Sequence, residues 1–247
     1  MLRFKLRLSM EIEVCKTGIF QVNSLIVPVT NNYCFVTDIG GHIEYISSVL
    51  EKNNLTPIAV ILTHGHFDHI LGLADFCQKY PLVKVAIHSA EEGRLGKLGL
   101  DWVKKDLYAF GMEHILPKNL ELPKASILLE EGNTLSNLFT FDGEFSLSPI
   151  FEHILPEELN ELKNELKQWE VLSTPGHTPG SICLYNRQKE ILISGDTLFY
   201  LSFGRTDLEG GNESQMKKSL SRLYSLPPTT LVYPGHDIFG FPLCKNL

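Results

Sequence analysis

Residues 64–69 read His-Gly-His-Phe-Asp-His, so three imidazoles and one carboxylate lie within six positions. The apolar run at 58–62 precedes them and is typical of a buried strand, which places these polar side chains in the loop at its carboxyl end. Imidazole nitrogen and carboxylate oxygen are ligands that suit zinc and similar divalent metals. The whole chain has nine histidines, and three of them in one hexapeptide favour a metal site over a polar loop that merely ends a strand.

The spacing within this segment favours two metal ions over one. His64 and His66 are two residues apart, so in an extended loop both can reach the same ion. Asp68 and His69 are adjacent, and adjacent side chains do not easily share one tetrahedral ion. Two ions, each completed by ligands from elsewhere in the chain, make better use of all four side chains.

Four motifs together resemble the signature of the metallo-β-lactamase-fold hydrolases, and in particular that of compact glyoxalase II-like members. In chain order the motifs are Thr-His-x-His-x-Asp-His at 63–69, Ser-Thr-Pro-Gly-His at 173–177, Ser-Gly-Asp-Thr at 194–197 and Tyr-Pro-Gly-His at 233–236. The later motifs are weak singly, but their order makes the match specific. The implied ligands of the first ion are His64, His66 and His177. Those of the second ion are Asp68, His69 and His236, and Asp196 is implied to bridge both ions.

The same resemblance implies a binuclear hydrolase in which Asp68 and Asp196 are the catalytic carboxylates. A hydroxide held by the metals would attack a thioester of the hydroxyacylglutathione type or a related ester, since metal binding lowers the pKa of water from about 15.7 toward about 7. Zinc is the expected metal, with iron and manganese left open. Two alternatives remain: a mononuclear iron persulfide dioxygenase that uses His64, His177 and Asp196, and a lactonase. A β-lactamase is disfavoured, because a bridging aspartate is not the usual arrangement in those enzymes.

Two further residues are candidates for substrate binding. Arg205 lies in Gly-Arg-Thr-Asp, which resembles an element of glyoxalase II-like hydrolases and persulfide dioxygenases. Its planar guanidinium could bind a substrate carboxylate, or it could pair with Asp207 and order the loop. Tyr200 is expected at the cleft because it follows Asp196 closely. Residues 200–203 read Tyr-Leu-Ser-Phe where the family usually has glycines, which weakens any inference of a glutathione site. Asp207 and Asp237 are candidates to contact the ligand histidines.

The elements around these motifs predict an α/β fold, and the resemblance implies a four-layer αββα sandwich that forms one domain over residues 1–247. The predicted strands are 1–8, 19–29, 33–37, 57–62, 83–88, 171–173, 182–185, 191–194 and 231–233. The predicted helices are 42–53, 68–80 and 213–225. Residues 91–168 are expected to form a partly helical insertion over the active site, with helices at 90–98, 101–111 and 156–168. The eleven residues after His236 are too few for the C-terminal helical domain of the fullest glyoxalase II enzymes.

Composition narrows the class of partner. The formal net charge is −7 and no Lys/Arg-rich run is present, so a small-molecule substrate is expected and a nucleic acid is not. The five cysteines are scattered and form no Cys-x-x-Cys pair, which favours buried, reduced thiols. Neither a secretory signal nor a membrane-length apolar stretch is apparent. These features predict a cytoplasmic protein without a membrane partner.

Overall fold

Two β-sheets form the centre of the fold. The first sheet has six strands in spatial order β1 to β6, namely β1 Glu13–Thr17, β2 Val22–Pro28, β3 Tyr33–Thr37, β4 Thr56–Ile61, β5 Lys84–His88 and β6 Ile127–Leu129. Neighbours from β1 to β3 pair antiparallel, and those from β3 to β6 pair parallel. The structure is a computed structural model that describes residues 11–141, 144–145 and 149–246. The strand predicted at 1–8 lies outside the described residues.

The second sheet has five strands, in spatial order β15-β14-β11-β10-β9. Two small hairpins of two-residue strands accompany this sheet. Strands β7 and β8 precede β9 in the chain, and β12 and β13 lie between β11 and β14. The strand bounds are β7 Thr140–Phe141, β8 Glu144–Phe145, β9 Trp169–Ser173, β10 Ile182–Asn186, β11 Ile191–Gly195, β12 Leu198–Phe199, β13 Ser202–Phe203, β14 Leu231–Pro234 and β15 Phe241–Pro242. Because β9, β10 and β11 alternate in direction and β11 pairs parallel with β14, the carboxyl ends of β9, β11 and β14 meet at one edge of the sheet.

Alternate residues of the central strands enter two different hydrophobic cores. In β2, Leu25 and Val27 lie in the core between the two sheets, whereas Ile26 lies in the core on the outer face of the first sheet. Side chains of successive strand residues point to opposite faces, and both faces are covered here. The strands therefore read as continuous apolar runs. Trp169 packs edge-on against Phe35 in the central core, with ring centroids 5.3 Å apart.

Helices cover the outer face of each sheet. The helices are α1 Ile43–Lys52, α2 Phe67–Ile70, α3 Leu73–Lys79, α4 Gly96–Ala109, α5 Pro156–Lys167 and α6 Glu213–Leu223. Helices α1, α3 and α4 place apolar side chains in the core outside the first sheet, and α6 does the same outside the second. This arrangement confirms the predicted α/β class and its αββα layers. Within the part of the chain that the structure describes, every helix is too short or too polar to serve as a membrane span.

Three predicted helices differ from those observed. The helix predicted at 68–80 is divided into α2 and α3, because the Gly72 N–H leaves the helical pattern and donates to the Ile39 carbonyl at 2.9 Å. The two helices predicted at 90–98 and 101–111 are instead a 3-10 segment, Ser89–Arg94, followed by α4. Helix α5 matches its predicted range within one residue and buries Leu162 and Leu166 in the core between the sheets.

Candidate metal centre

Four chain segments that follow strand ends meet at one edge of the sandwich. They follow β4 in the first sheet and β9, β11 and β14 in the second. Backbone hydrogen bonds join these segments in two pairs. Ile182 donates to the Thr63 carbonyl at 2.9 Å and connects the two sheets, and Gly235 donates to the Gly195 carbonyl at 2.9 Å within the second sheet.

All seven predicted ligands lie together at this edge. Their side chains form three groups in which the potential ligand atoms lie within 4.8 Å of one another, namely His64/His66/His177, His64/His69/Asp196 and Asp68/His69/His236. In the first group His66 Nδ1 is 2.9 Å from His177 Nε2, and in the third His69 Nε2 is 3.2 Å from His236 Nε2. Imidazole nitrogens and carboxylate oxygens at these separations could hold metal ions.

Asp196 lies between the first and the third group. Its Oδ1 is 3.5 Å from His69 Nε2, while its Oδ2 is 3.5 Å from His236 Nε2 and 3.7 Å from His177 Nε2. The backbone of Gly235 packs directly on this carboxylate, since a Cβ atom at that position would lie 2.2 Å from Asp196 Oδ1. Glycine is thus required beside the carboxylate. Asp196 reaches both groups, because its Oδ2 lies between His177 of the first group and His236 of the third.

Unsatisfied polar atoms in the cluster indicate that it suits metal ions. His64 Nε2 and Asp196 Oδ1 are buried and have no hydrogen-bond partner among the described residues. A buried polar atom without a partner is costly, and native proteins usually satisfy such atoms. Asp38, Asp68 and Asp196 also bring three carboxylates into one poorly exposed region. Divalent cations would satisfy the free lone pairs and balance this negative charge.

Asp38 supports two of the histidines: it holds Thr63, which contacts His64, and it lies close to His69. Its Oδ1 accepts from the Thr63 N–H and its Oδ2 from the Thr63 hydroxyl, both at 2.8 Å, and Oδ2 lies 3.0 Å from His69 Nδ1. Because the Thr63 hydroxyl hydrogen is directed to Asp38, its oxygen accepts from His64 Nδ1 at 3.1 Å. That tautomer leaves the His64 Nε2 lone pair free to bind a metal.

Backbone carbonyls fix two more histidines. His177 Nδ1 donates to the Arg205 carbonyl at 2.8 Å, and His236 Nδ1 donates to the Phe20 carbonyl at 3.1 Å. A carbonyl accepts only, so each ring carries its hydrogen on Nδ1 and directs an Nε2 lone pair at the cluster. Sequence reasoning proposed Asp207 for such a contact, but the Asp207 carboxylate pairs with Arg205. The sequence motifs do not point to Asp38, which directly follows β3, although an aspartate at the end of a buried strand is itself a signal.

Burial and mutual charge shift the pKa values of the cluster in opposite directions. Burial, reinforced by His177, lowers the pKa of His66 to about 3, and burial holds the pKa of His64 well below its ordinary value. Burial opposes a charge on His69 too, but Asp196, Asp68 and Asp38 outweigh it and raise that pKa well above its ordinary value. The Asp196 carboxyl has a strongly lowered pKa, because His69 outweighs the effect of burial. Asp196 is therefore ionised at neutral pH, as a metal ligand must be.

A cavity of about 270 Å³ opens onto the cluster. One wall is aromatic, formed by Phe20, Phe67 and Phe110, whose ring centroids are 5.6 to 6.1 Å apart. Asp106 of α4 also lines the cavity, and Phe110 directly follows α4. Thus α4, from the region 91–168, borders the cavity, whereas no residue of α5 is among its described lining residues.

The two substrate-binding candidates lie in different surroundings. Arg205 lines the cavity, and its Nε and Nη2 donate to the Asp207 carboxylate at 2.7 Å each. Tyr200 is not among the described residues that line the cavity; its ring packs on Phe241 with centroids 5.2 Å apart, next to the core outside the second sheet. Tyr200 lies at the turn of the β12–β13 hairpin, which explains why proximity to Asp196 in sequence did not bring it to the cavity.

Comparisons with known proteins agree with this geometry. A model of the metallo-beta-lactamase superfamily matches residues 17–236. "Probable metallo-hydrolase YqgX" of Bacillus subtilis is 31% identical over 89% of this chain and 86% of its own. A hydroxyacylglutathione hydrolase of Pectobacterium atrosepticum is 30% identical over 83% of this chain, which spans only 58% of that protein.

Two solved structures are similar along almost their full lengths. TTHA1623 in a di-iron-bound form has a TM-score of 0.69 and 28% identity over 94% of this chain and 96% of its own. The B3 metallo-beta-lactamase BLEG-1 has a TM-score of 0.71 and 26% identity over 95% of each chain. The fold, the gathered histidine and aspartate side chains and the match over 17–236 lead to one conclusion. The chain belongs to the metallo-beta-lactamase superfamily.

Proposed function

We propose that the protein is a hydrolase that uses two divalent metal ions to cleave a thioester or a related ester. The observation that carries the proposal is the position of Asp196, whose carboxylate lies between two separate groups of potential ligands and within 3.7 Å of a histidine nitrogen of each. Bound there, two ions would supply a water molecule of lowered pKa and Lewis-acid stabilisation of the developing oxyanion. Zinc is the first choice; iron and manganese suit the same ligands, and a similar protein has been solved in a di-iron-bound form.

Each side chain has a defined part in this proposal. His64, His66 and His177 would hold one ion, and Asp68, His69 and His236 the other. Asp196 would bridge the ions, and its ionised carboxylate would offset part of their charge. Asp68 would orient the second site, since its Oδ2 lies 3.3 Å from His236 Nε2 and 3.8 Å from His69 Nε2.

The cavity supports a small substrate with an apolar acyl part. Its volume of about 270 Å³ is near the lower end for small-molecule sites, which span roughly 300–1,000 Å³, and the wall of Phe20, Phe67 and Phe110 is apolar. Arg205 keeps guanidinium N–H groups beyond the two that Asp207 engages, so an anionic end of the substrate could pair with it. The similarity to a hydroxyacylglutathione hydrolase supports a thioester as the substrate. We propose neither a nucleic acid nor a membrane as a partner.

The alternatives make different use of the same cluster. A mononuclear iron persulfide dioxygenase would need only His64, His177 and Asp196. The third group, Asp68 with His69 and His236, is assembled just as closely, which favours the binuclear hydrolase. A lactonase would use both ions on a cyclic ester. The likeness to a B3 metallo-beta-lactamase makes a β-lactam a necessary member of any substrate panel, although a bridging Asp196 disfavours it.

Metal content and a substrate panel test the proposal together. We expect about two metal ions per chain. We also expect thioesters to be turned over faster than lactones, a chromogenic β-lactam or, with oxygen, a persulfide. Iron alone would not decide the matter, because iron can occupy a binuclear site. A single iron per chain together with oxygen consumption on a persulfide would overturn the hydrolase in favour of the dioxygenase. Two ions with turnover only of lactones would move the substrate class from thioester to cyclic ester.

A further inference from the structure

Glu91 links two loops of the candidate metal centre although it is not itself among the grouped ligands. It lies in the 3-10 segment Ser89–Arg94 that follows β5, and its side chain is 2% exposed. Its Oε2 accepts from the Gly65 N–H at 3.2 Å, and its Oε1 accepts from the Gly180 N–H at 3.1 Å. Gly65 lies between His64 and His66, and Gly180 lies three residues after His177. One buried carboxylate thus joins the two loops that supply the first group of ligands.

The surroundings of Glu91 hold its carboxylate in place. Arg94 Nε lies 3.8 Å from Glu91 Oε2, and Arg94 Nη1 donates to Asp106 Oδ2 at 3.0 Å. The Arg94 guanidinium also stacks on the ring of Trp102 at 4.0 Å from its centroid. Helix α4 therefore anchors the arginine that balances the buried charge of Glu91.

Both loops pack tightly on this segment. A Cβ atom at Gly65 would lie 2.5 Å from Arg94 Cβ, and one at Gly180 would lie 2.5 Å from Glu91 Cγ. The loops therefore approach closely enough for each backbone N–H to reach the same carboxylate. Hydrogen bonds to an ionised acceptor are stronger than neutral ones, so the two bonds restrain the distance between the loops.

We propose that Glu91 is a positioning residue that fixes the loop of His64 and His66 relative to the loop of His177, and thereby sets metal affinity at this group. The inference rests on the proposed metal centre but not on the identity of its substrate. Groups that support metal ligands typically change metal affinity about 10- to 100-fold when they are replaced. Glu91→Gln keeps the shape of the side chain but has one acceptor oxygen, and its amide NH₂ would face a backbone N–H. One of the two links is lost.

The test measures zinc affinity by competition with a chromophoric chelator, and records the visible spectrum of the cobalt-substituted protein. Glu92→Gln is the matched control, because Glu92 is the exposed neighbour in the same segment. We expect Glu91→Gln to weaken binding of one of the two ions at least tenfold and to alter the cobalt spectrum, with Glu92→Gln unchanged. Equal affinities and spectra in the two variants would overturn the inference.

Two further variants separate positioning from general stability. Glu91→Asp keeps the charge but is one methylene shorter, so we expect an intermediate affinity; it carries the test if Glu91→Gln does not fold. Leu162→Ala destabilises the core between the sheets and is expected to keep the wild-type zinc affinity. A loss of affinity in Leu162→Ala equal to that of Glu91→Gln would show that stability alone is responsible. Wild-type protein that binds no metal would instead refute the proposed function.

Discussion

Asp196 is the residue that connects the first and the third group of candidate ligands, because its carboxylate lies close to His177 of one and to His69 and His236 of the other. We expect Asp196→Ala to abolish hydrolysis and to leave at most one ion per chain, with the fold retained. The check combines turnover, metal content and far-ultraviolet circular dichroism. Hydrolysis that persists in a folded variant would exclude a bridged site.

Asp38 supports candidate ligands although it belongs to none of the three groups itself. In Asp38→Asn one oxygen becomes an NH₂ group, which cannot accept from the Thr63 hydroxyl, and the negative charge that lies 3.0 Å from His69 Nδ1 is lost. We expect metal affinity to fall about 10- to 100-fold, mainly for the ion that His69 would hold. Chelator competition measures the change, and Asp75→Asn, at an exposed position in α3, is the control. An Asp38→Asn protein with the affinity of the control would show that the Asp38 contacts are structural only.

Arg205 combines a backbone and a side-chain role. Its carbonyl orients His177 whatever the side chain is, so Arg205→Ala keeps that bond. We expect the variant to raise KM for anionic thioesters at least tenfold while kcat changes little, because loss of a charge-assisted hydrogen bond costs roughly 1.5–3 kcal/mol, a factor of about 10 to 150. Arg187→Ala, at an exposed arginine, should leave both constants unchanged. An unaltered KM in Arg205→Ala would leave the pairing with Asp207 as the only role of the Arg205 side chain.

At the scale of elements, α4 shapes the cavity through the residue that follows it. Phe110 completes the aromatic wall with Phe20 and Phe67. We expect Phe110→Ala to raise KM at least tenfold for thioesters with bulky apolar acyl groups, because full burial of an aromatic side chain is worth about 1.5–3 kcal/mol, a factor of about 10 to 150. The effect on an acetyl thioester should be small.

Tyr108→Ala is the control for this helix, since Tyr108 is 74% exposed. Steady-state kinetics on a series of acyl chain lengths makes the comparison. The same KM change at every chain length in Phe110→Ala would contradict an acyl-binding wall.

The elements show what a sequence can and cannot predict. Strands β2 to β4 were recognisable because burial on both faces makes them continuous apolar runs. The course of α4 differs from the helices predicted at 90–98 and 101–111, and its Gly96 and Gly99 have low helix propensity. In the structure Gly99 packs so closely on the Arg94 carbonyl and the Leu122 side chain that a Cβ atom would not fit, so close packing and not helix propensity accounts for glycine at this position.

The candidate site, too, could be predicted from the sequence only in part. That the seven candidate ligands lie together was predictable, because each is in a short motif at a strand end. The supporting contacts were not: Glu91 reaches Gly65 and Gly180 over 26 and 89 residues, and no local pattern encodes a bond of that span. Tyr200 shows the converse error, because closeness in sequence to Asp196 did not determine on which side of the hairpin its ring would pack.

At the scale of the whole molecule, burial should control the reactivity of the five thiols. Cys15, Cys34 and Cys183 are buried, Cys77 is partly exposed and Cys244 is exposed. Burial raises the pKa of Cys15 and of Cys183 to about 11, and only a thiolate reacts readily. We expect one fast-reacting thiol in native protein, lost in Cys244→Ser, and all five after denaturation in guanidinium. Rapid reaction of three or more thiols in native protein would contradict the described core.

The ligands of the candidate centre come from both halves of the chain, and His69 and His236 are separated by 167 residues. During synthesis at about 5–20 residues per second, the first motif would leave the ribosome roughly ten to thirty seconds before its last partner. Until then the strands of the second sheet are incomplete, and His64, His66, Asp68 and His69 have no framework to complete their sites. Loading of the proposed centre would therefore wait until residue 236 has been made, and a bound pair of ions would mark a chain that has been made and folded through that residue.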